Sequence, residues 1–116
     1  MEILDLEVHP HLARPQRIVA VYRAPQTDLQ ASMQLLATVM ACTGASPLTT
    51  VLGDFNMERD MLGDVLPTLP PHALSHADFG ETTNLHTHID HCLSNQPCGV
   101  IETYFSYHKA LYALLA

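Results

Sequence analysis

The sequence predicts a single α/β domain, because strand-like and helix-like patterns alternate along its 116 residues. A continuous run of β-branched residues, RIVAVYR at 17–23, indicates a strand in the middle of a sheet. Apolar residues then recur at helical spacing, and an apolar run over 47–55 predicts a second buried strand. Neither a repeat nor a linker interrupts this order, so we expect residues 1–116 to form one domain.

The first half of the chain gives the clearest elements. Residues 2–8 alternate between polar and apolar, which predicts a half-buried strand, and their acidic charge favours the edge of a sheet. After the strand at 17–23, Thr27 or Asp28 can cap a helix. That helix is expected to end near Thr43 and Gly44, and its apolar face consists of Leu29, Met33, Leu36 and Met40.

The second half gives weaker patterns. Residues 57–65 are compatible with a helix, PTLPP at 67–71 excludes regular structure, and residues 72–84 are predicted to be an irregular connection. We expect strands over 85–93 and 100–106, separated by the turn SNQPCG. Residues 109–116 either finish the last strand or form a short strand of their own.

Composition and charge exclude several classes of protein. Hydrophobic residues make up 47 %, which is an ordered rather than a disordered composition. The formal net charge is −7, with five basic residues, so the chain lacks the basic face of a protein that coats nucleic acid. An enzyme that meets phosphate through a metal ion is still compatible with this charge.

The expected location is inside the cell, nuclear or cytoplasmic, with no membrane partner. No apolar run approaches the roughly 20 residues of a membrane span, and the acidic start MEILDLEVHP lacks the positive charge of a secretory signal. The three cysteines, Cys42, Cys92 and Cys98, are odd in number and have no CxxC spacing, which favours reduced thiols.

Polar side chains stand at the end of the second buried strand, in TTVLGDFNMERD at 49–60. On an extended chain Asp54 and Asn56 project from one face, whereas Phe55 projects from the other and can anchor the core. A carboxylate there can hold or deprotonate a water molecule, and an amide can fix a phosphate or the carboxylate itself. Gly, Asp and Asn are also ordinary turn residues, so this stretch alone leaves both interpretations open.

Two further stretches carry candidate residues. If NLHTHIDHCLSN at 84–95 is a strand, one face carries His86, His88, Asp90 and Cys92. A carboxylate next to an apolar isoleucine is costly to bury without a partner, and histidine is the usual partner. TYFSYHKAL at 103–111 offers His108 near a strand end. Taken singly, each histidine is more often a structural or surface residue than a functional one.

Taken together and in this order, the three stretches resemble the endonuclease/exonuclease/phosphatase superfamily. The resemblance rests on a strand followed by GDFN, a threonine followed by Ile-Asp in a strand, and Ser-X-His near the end, and it spans about residues 18–111. Members include deoxyribonuclease I, abasic-site endonucleases and the endonuclease domains of non-LTR retrotransposons, and YRAP at 22–25 is similar to the transposon-type members. The resemblance implies the C-terminal half of a four-layer α/β sandwich, with a mostly antiparallel sheet and one or two helices on one face.

The resemblance also implies a role for each polar residue. Asp54 would position or deprotonate the attacking water close to a divalent metal ion, Mg²⁺ or Mn²⁺. Asn56 would orient Asp54 and the scissile phosphate. His108 would contact the phosphate and stabilise the developing charge, and Asp90 would accept a hydrogen bond from His108 and hold it in place.

Two departures from the family pattern weaken the expected activity. The family usually ends in Ser-Asp-His, whereas Tyr107 stands before His108 here, and a phenol is a poor magnesium ligand. The family's N-terminal half, which brings an asparagine and the metal-binding glutamate, has no counterpart, so we expect a fragment that binds metal weakly. Arg23 and Thr83 would line the cleft.

Three functions remain open on the sequence alone. The first is a metal-dependent phosphodiesterase fragment, related to mobile-element endonucleases, that acts on nucleic acid and has little activity alone. The second is a non-enzymatic interaction module that keeps the fold and pairs with the missing N-terminal half or with another copy. The third is a zinc-binding domain, whose ligands would come from His76, His86, His88, His91, Cys92 and Cys98.

Overall fold

The computed structural model describes residues 1–11, 14–41, 48–65 and 74–115. These residues form a five-stranded sheet, a separate two-stranded sheet and two helices. The strands are β1 (Glu2–Val8), β2 (Gln16–Tyr22), β3 (Thr49–Asp54), β4 (Ser75–His76), β5 (Asp90–Ser94), β6 (Cys98–Ile101) and β7 (Ala110–Ala113), and the helices are α1 (Leu29–Ala41) and α2 (Arg59–Val65).

The larger sheet has the strand order β1-β2-β3-β5-β4. Only β2 and β3 run parallel, because α1 connects them as a crossover, and the other neighbours are antiparallel. Strands β6 and β7 form an antiparallel pair of their own. The mixed α/β class, the mostly antiparallel sheet and the edge position of β1 are therefore confirmed.

Both helices pack on one face of the larger sheet. Asp28 caps α1 as predicted, since its Oδ1 accepts a hydrogen bond from the backbone N–H of Ala31 at 2.8 Å. The apolar side of α1 and Leu62 of α2 share one buried cluster with the strands. Its fully described members are Val19, Val21, Met33, Leu36, Met40, Val51, Phe55, Met57, Leu62 and Leu93.

The predicted strand over 85–93 is wrong in its first half. Strand β5 begins at Asp90, and residues 84–89 form a turn because Thr83 Oγ1 accepts the backbone N–H groups of Leu85 and Thr87. His86 has a left-handed φ of 61° and is exposed, so it does not share a strand face with Asp90. The alternation of side chains along the sequence does not show that the Thr83 hydroxyl will bind these backbone N–H groups in place of a neighbouring strand.

Other observed element boundaries also differ from the prediction. The connection at 72–84 was predicted to be irregular, but it contains the short strand β4, which pairs with β5. The strand expected over 100–106 is β6 and ends at Ile101, and residues 110–113 form a strand of their own. The PTLPP segment, the predicted helix end at 43–44 and Cys42 lie outside the described residues.

The face of the larger sheet opposite the helices is only partly covered. The two-stranded sheet lies near β3 and β5, whereas no described element covers the β1–β2 end. There the exposed fractions are 57 % for Leu4, 44 % for Leu6 and 45 % for Tyr22. We call these three residues, with the half-buried Ile18 and Ala20 opposite Leu6 and Leu4, the open face.

Neither described helix combines the length and the apolar character that crossing a membrane requires.

Candidate active site

Two carboxylates and one imidazole meet at the end of β3. Asp54 is the last residue of β3 and lies directly opposite Asp90, the first residue of the antiparallel β5. His108 Nδ1 lies 2.7 Å from Asp90 Oδ2, and His108 Nε2 lies 3.7 Å from Asp54 Oδ2. One ligand atom from each residue lies within 4.8 Å of the others. The structure thus brings together three of the residues that the sequence selected.

Backbone hydrogen bonds hold His108 in this position although no regular strand contains it. An isolated β-bridge joins His108 to Thr83. The backbone N–H of Lys109 donates to Thr82 O, and that of Asn84 donates to Tyr107 O, both at 2.8 Å. The segment that carries the imidazole is therefore fastened to the turn that precedes β5.

Thr82 positions the start of β5, a role that no sequence pattern predicted. Its hydroxyl is fully buried and accepts hydrogen bonds at 3.1 Å from the backbone N–H groups of both Ile89 and Asp90. Thr83 was the predicted residue, but its hydroxyl serves the turn and bonds to the Thr87 hydroxyl at 2.7 Å. A contact between Thr83 and a substrate stays a prediction.

The turn after β3 is fixed by Asn56 and Arg23. Asn56 has a left-handed φ of 46°, and its backbone N–H donates to Asp54 Oδ1 at 2.8 Å. Its side-chain amide instead donates to Arg23 O at 2.6 Å. Arg23 in turn donates to the backbone oxygens of Phe55, Asn56 and Thr27. Asn56 orients Asp54 through its main chain, and contacts of Asn56 and Arg23 with phosphate stay predictions.

The packing of the fold explains why Gly53 and Phe55 stand in the GDFN motif. Phe55 is fully buried in the core, as predicted. Gly53 has a φ of 149°, and a Cβ at this position would lie 1.9 Å from Val21 O in the neighbouring strand. Only glycine fits there, because the carbonyl belongs to the β2 backbone and cannot move aside.

The surroundings of Asp54 favour its protonated form. Burial raises the pKa of Asp54, the hydrogen bond from the Asn56 backbone opposes that rise, and the nearby charge of Asp90 adds to it. Proximity to His108 acts in the opposite direction. A carboxylate with a raised pKa accepts a proton from water more readily than an ordinary surface aspartate does.

The donor set fits a hydrated divalent ion. Mg²⁺ is usually held by one or two carboxylates and keeps several water ligands. Asp90 Oδ2 already faces His108 Nδ1 at 2.7 Å, which leaves Asp54 as the carboxylate better placed to bind the ion. Two carboxylates and an imidazole could hold a metal in this way.

Three other histidines lie below α2 and pack together. His91 Nε2 bonds to Met57 O at 2.6 Å, and its Nδ1 lies 3.0 Å from His76 Nε2. The rings of His88 and His91 stack with centroids 4.9 Å apart. Burial lowers the pKa of both His76 and His91 to about 4, so these imidazoles are neutral at pH 7.

These histidines do not complete the predicted zinc site. Within the described ranges, the group of three ligand atoms close enough for a metal is the one at Asp54, Asp90 and His108. His86 instead pairs with Glu81 at the surface, at 2.9 Å. Cys92 and Cys98 are free thiols.

The structure is similar to that of CdtB, the biologically active subunit of cytolethal distending toxin. The TM-score is 0.58 at 15 % sequence identity, over 95 % of this chain and 55 % of the CdtB chain. The comparison shows a shared fold over that part of the CdtB structure. The chain thus spans little more than half the length of the structure it matches. No protein-family model and no curated protein matches the sequence.

Proposed function

We propose that this chain is a phosphodiester hydrolase module of the endonuclease type, which acts on nucleic acid with Mg²⁺ or Mn²⁺. The observation that carries the proposal is the placement of the His108 imidazole between two carboxylates, 2.7 Å from Asp90 and 3.7 Å from Asp54. A deoxyribonuclease I-like fold around this cluster supports the same function.

Each of the three residues has a distinct task in this reaction. Asp90 accepts the Nδ1 hydrogen of His108, which fixes the tautomer and turns Nε2 towards the cleft. Asp54 accepts a proton from the attacking water. The water oxygen then bonds to phosphorus while the ester P–O bond to the leaving group breaks, and the leaving oxygen takes up a proton from solvent. His108 contacts the phosphate and stabilises the negative charge that develops on it. A bound divalent ion would supply further charge stabilisation beside Asp54.

The proposed activity is weak in this chain alone. Tyr107 stands where the related motif has an aspartate, so one candidate oxygen ligand is absent from the site. The relation to mobile-element endonucleases rests on YRAP at 22–25 and stays a prediction from the sequence.

An interaction role is the second candidate, and the open face favours it. Leu4, Leu6 and Tyr22 leave an apolar strip on the sheet without a covering layer among the described residues. A further β-rich layer, from an amino-terminal half of the same fold or from a second copy, would bury this strip.

Nicking of supercoiled plasmid tests the proposed hydrolysis. The wild-type chain with Mn²⁺ is expected to convert supercoiled to open-circular DNA, and both Asp54→Ala and His108→Ala are expected to abolish the conversion. His9→Ala is the matched control, since His9 is an exposed histidine that also pairs with a carboxylate, Glu7. Absence of cleavage of both plasmid and single-stranded DNA at every Mn²⁺ and Mg²⁺ concentration would reduce the chain to the interaction role.

A further inference from the structure

The loop between β6 and β7 exposes three aromatic side chains. The exposed fractions are 103 % for Tyr104, 90 % for Phe105 and 51 % for Tyr107. We call residues 102–107 the aromatic loop. Aromatic side chains gain much of their stabilisation from burial, so three of them in water on one short loop indicate a surface that contacts a partner.

The aromatic loop is folded back onto itself and attached to the candidate active site. The Thr103 hydroxyl lies 2.7 Å from His108 O and 3.3 Å from Ser106 O. The backbone N–H of His108 donates to the Ser106 hydroxyl at 3.1 Å. The rings of Tyr107 and His108 have centroids 4.3 Å apart. The Tyr107 ring therefore stands directly beside the imidazole that would face the phosphate, and Tyr104 and Phe105 belong to the same short loop.

Charge attraction cannot supply the affinity of this surface. Lys109, the basic residue next to the loop, lies 3.2 Å from Glu102. The whole chain has only five basic residues and a net charge of −7. Phosphate binding and binding to anionic lipids both depend on lysine and arginine. Stacking of nucleobases on aromatic rings needs no cation, because every base has a π face.

We propose that the aromatic loop is a stacking platform for unpaired nucleobases, and that the substrate of this site is single-stranded nucleic acid. The inference rests on the proposed function, since the site fixes where the phosphate lies. A base attached to the bound phosphate or to its neighbour can stack on Tyr107 or Phe105. In a duplex the bases are already stacked on each other, so their faces are not available to the loop.

Binding of a fluorescein-labelled oligothymidine, followed by anisotropy in EDTA, tests the proposal without any cleavage. Phe105→Ala and Phe105→Leu are both expected to weaken binding about tenfold, because stacking contributes roughly 1–3 kcal/mol per base. Phe105→Leu is the decisive variant, since leucine keeps an apolar side chain but removes the π face. Leu35→Ala, on the exposed side of α1, is the control and is expected to bind like the wild type.

Salt and competitor experiments complete the test. Affinity is expected to change little between 50 and 200 mM salt, and a labelled duplex of the same length is expected to bind more weakly. The proposal is overturned if the wild type does not bind oligothymidine, if Phe105→Leu binds normally, or if the duplex binds as tightly. It is also overturned if Phe105 instead governs binding to phosphatidylcholine vesicles.

The two proposals can fail separately. Loss of cleavage in Asp54→Ala tests the hydrolysis, whereas loss of oligothymidine binding by Phe105→Leu in EDTA tests the stacking platform. A wild type that binds oligothymidine but cleaves neither single-stranded DNA nor plasmid in Mn²⁺ would contradict the proposed hydrolysis alone. Nicking of single strands that Phe105→Leu does not impair would contradict the stacking platform alone.

Discussion

Asp54 is held at a cost to the folded state. Burial and the facing Asp90 both raise its pKa, and only the hydrogen bond from the Asn56 backbone and the nearby His108 favour its charge. A carboxylate that destabilises the fold in this way is typical of a site that uses the carboxylate in a reaction. At the scale of single residues, the clearest consequence is that chemistry and stability should respond to Asp54 in opposite directions.

Asp54→Asn is therefore expected to stabilise the fold and to abolish hydrolysis. Because the pKa of Asp54 is raised in the folded state, its charge lowers the stability of the fold as pH rises from the unfolded pKa of 3.8 through the folded pKa. At pH 7, replacing Asp54 by a neutral asparagine removes this loss. Asparagine can still accept the hydrogen bond of the Asn56 backbone. We expect the Tm to rise by about 2–4 °C in thermal denaturation at pH 7.

Asp64→Asn is the matched control for this change, because Asp64 is an exposed aspartate on α2. It is expected to leave both the Tm and the nicking rate unchanged. A lower Tm for Asp54→Asn than for the wild type would show that burial of the Asp54 charge costs nothing.

The buried Thr82 hydroxyl is expected to contribute to stability. Thr82→Val keeps the shape but leaves the backbone N–H groups of Ile89 and Asp90 without their acceptor, and that of Asp90 is buried. The free energy of unfolding in urea should fall by about 1–3 kcal/mol. Thr82→Ser keeps the hydroxyl and should recover most of that loss. Equal losses in both variants would assign the effect to packing of the methyl group instead.

At the scale of elements, the sequence predicted what local patterns determine. Strands β1, β2 and β3 and helix α1 with its Asp28 cap follow from periodicity and capping, which depend on neighbouring residues only. The start of β5 and the existence of β4 depend on hydroxyl contacts of Thr82 and Thr83 and on pairing across the sheet. Such long-range contacts leave no periodic signal in one sequence.

The histidines beneath α2 make the fold sensitive to acid. His76 and His91 have pKa values of about 4, lowered mainly by burial, whereas unfolded histidine titrates near 6.5. Charges that face them are Arg59, which opposes protonation, and Asp78, which favours it at His76. The contribution of these neutral histidines to the free energy of unfolding is therefore fully present above pH 6.5 and decreases as pH falls from 6.5 to about 4.

Urea denaturation at pH 7 and pH 5 measures this acid sensitivity. The free energy of unfolding is expected to be lower at pH 5, and His76→Gln should reduce the difference between the two pH values. His9→Gln, at an exposed histidine, should leave the difference as it is in the wild type. A wild-type stability that is equal at the two pH values would contradict the neutral, buried state of these imidazoles.

At the scale of the whole molecule, one sheet face is covered by helices and the other is only partly covered. The two-stranded sheet lies near β3 and β5, whereas the open face at β1 and β2 stays in contact with water. The resemblance in the sequence predicted the meeting of Asp54, Asp90 and His108, because its motifs mark the ends of strands. It did not predict the aromatic loop, since exposure is a property of the assembled fold.

The open face is expected to drive self-association. The wild-type chain should form dimers or larger species at micromolar concentration in analytical ultracentrifugation, because burial of Leu4, Leu6 and Tyr22 is favourable. Leu6→Lys should shift this equilibrium towards the monomer. Leu35→Lys is the matched control, since Leu35 and Leu6 are both 44 % exposed and Leu35 lies on α1. A wild-type chain that stays monomeric would contradict self-association through the open face.

The most direct test of the central claim is a titration with Mn²⁺ followed by NMR of the histidine side chains. If Asp54, Asp90 and His108 form one metal-assisted site, the paramagnetic ion should broaden the His108 resonances before those of His76, His88 and His91. Asp54→Asn should remove that selectivity. The account is contradicted if broadening begins at the histidines beneath α2, or if Asp54→Asn leaves the response of His108 unchanged.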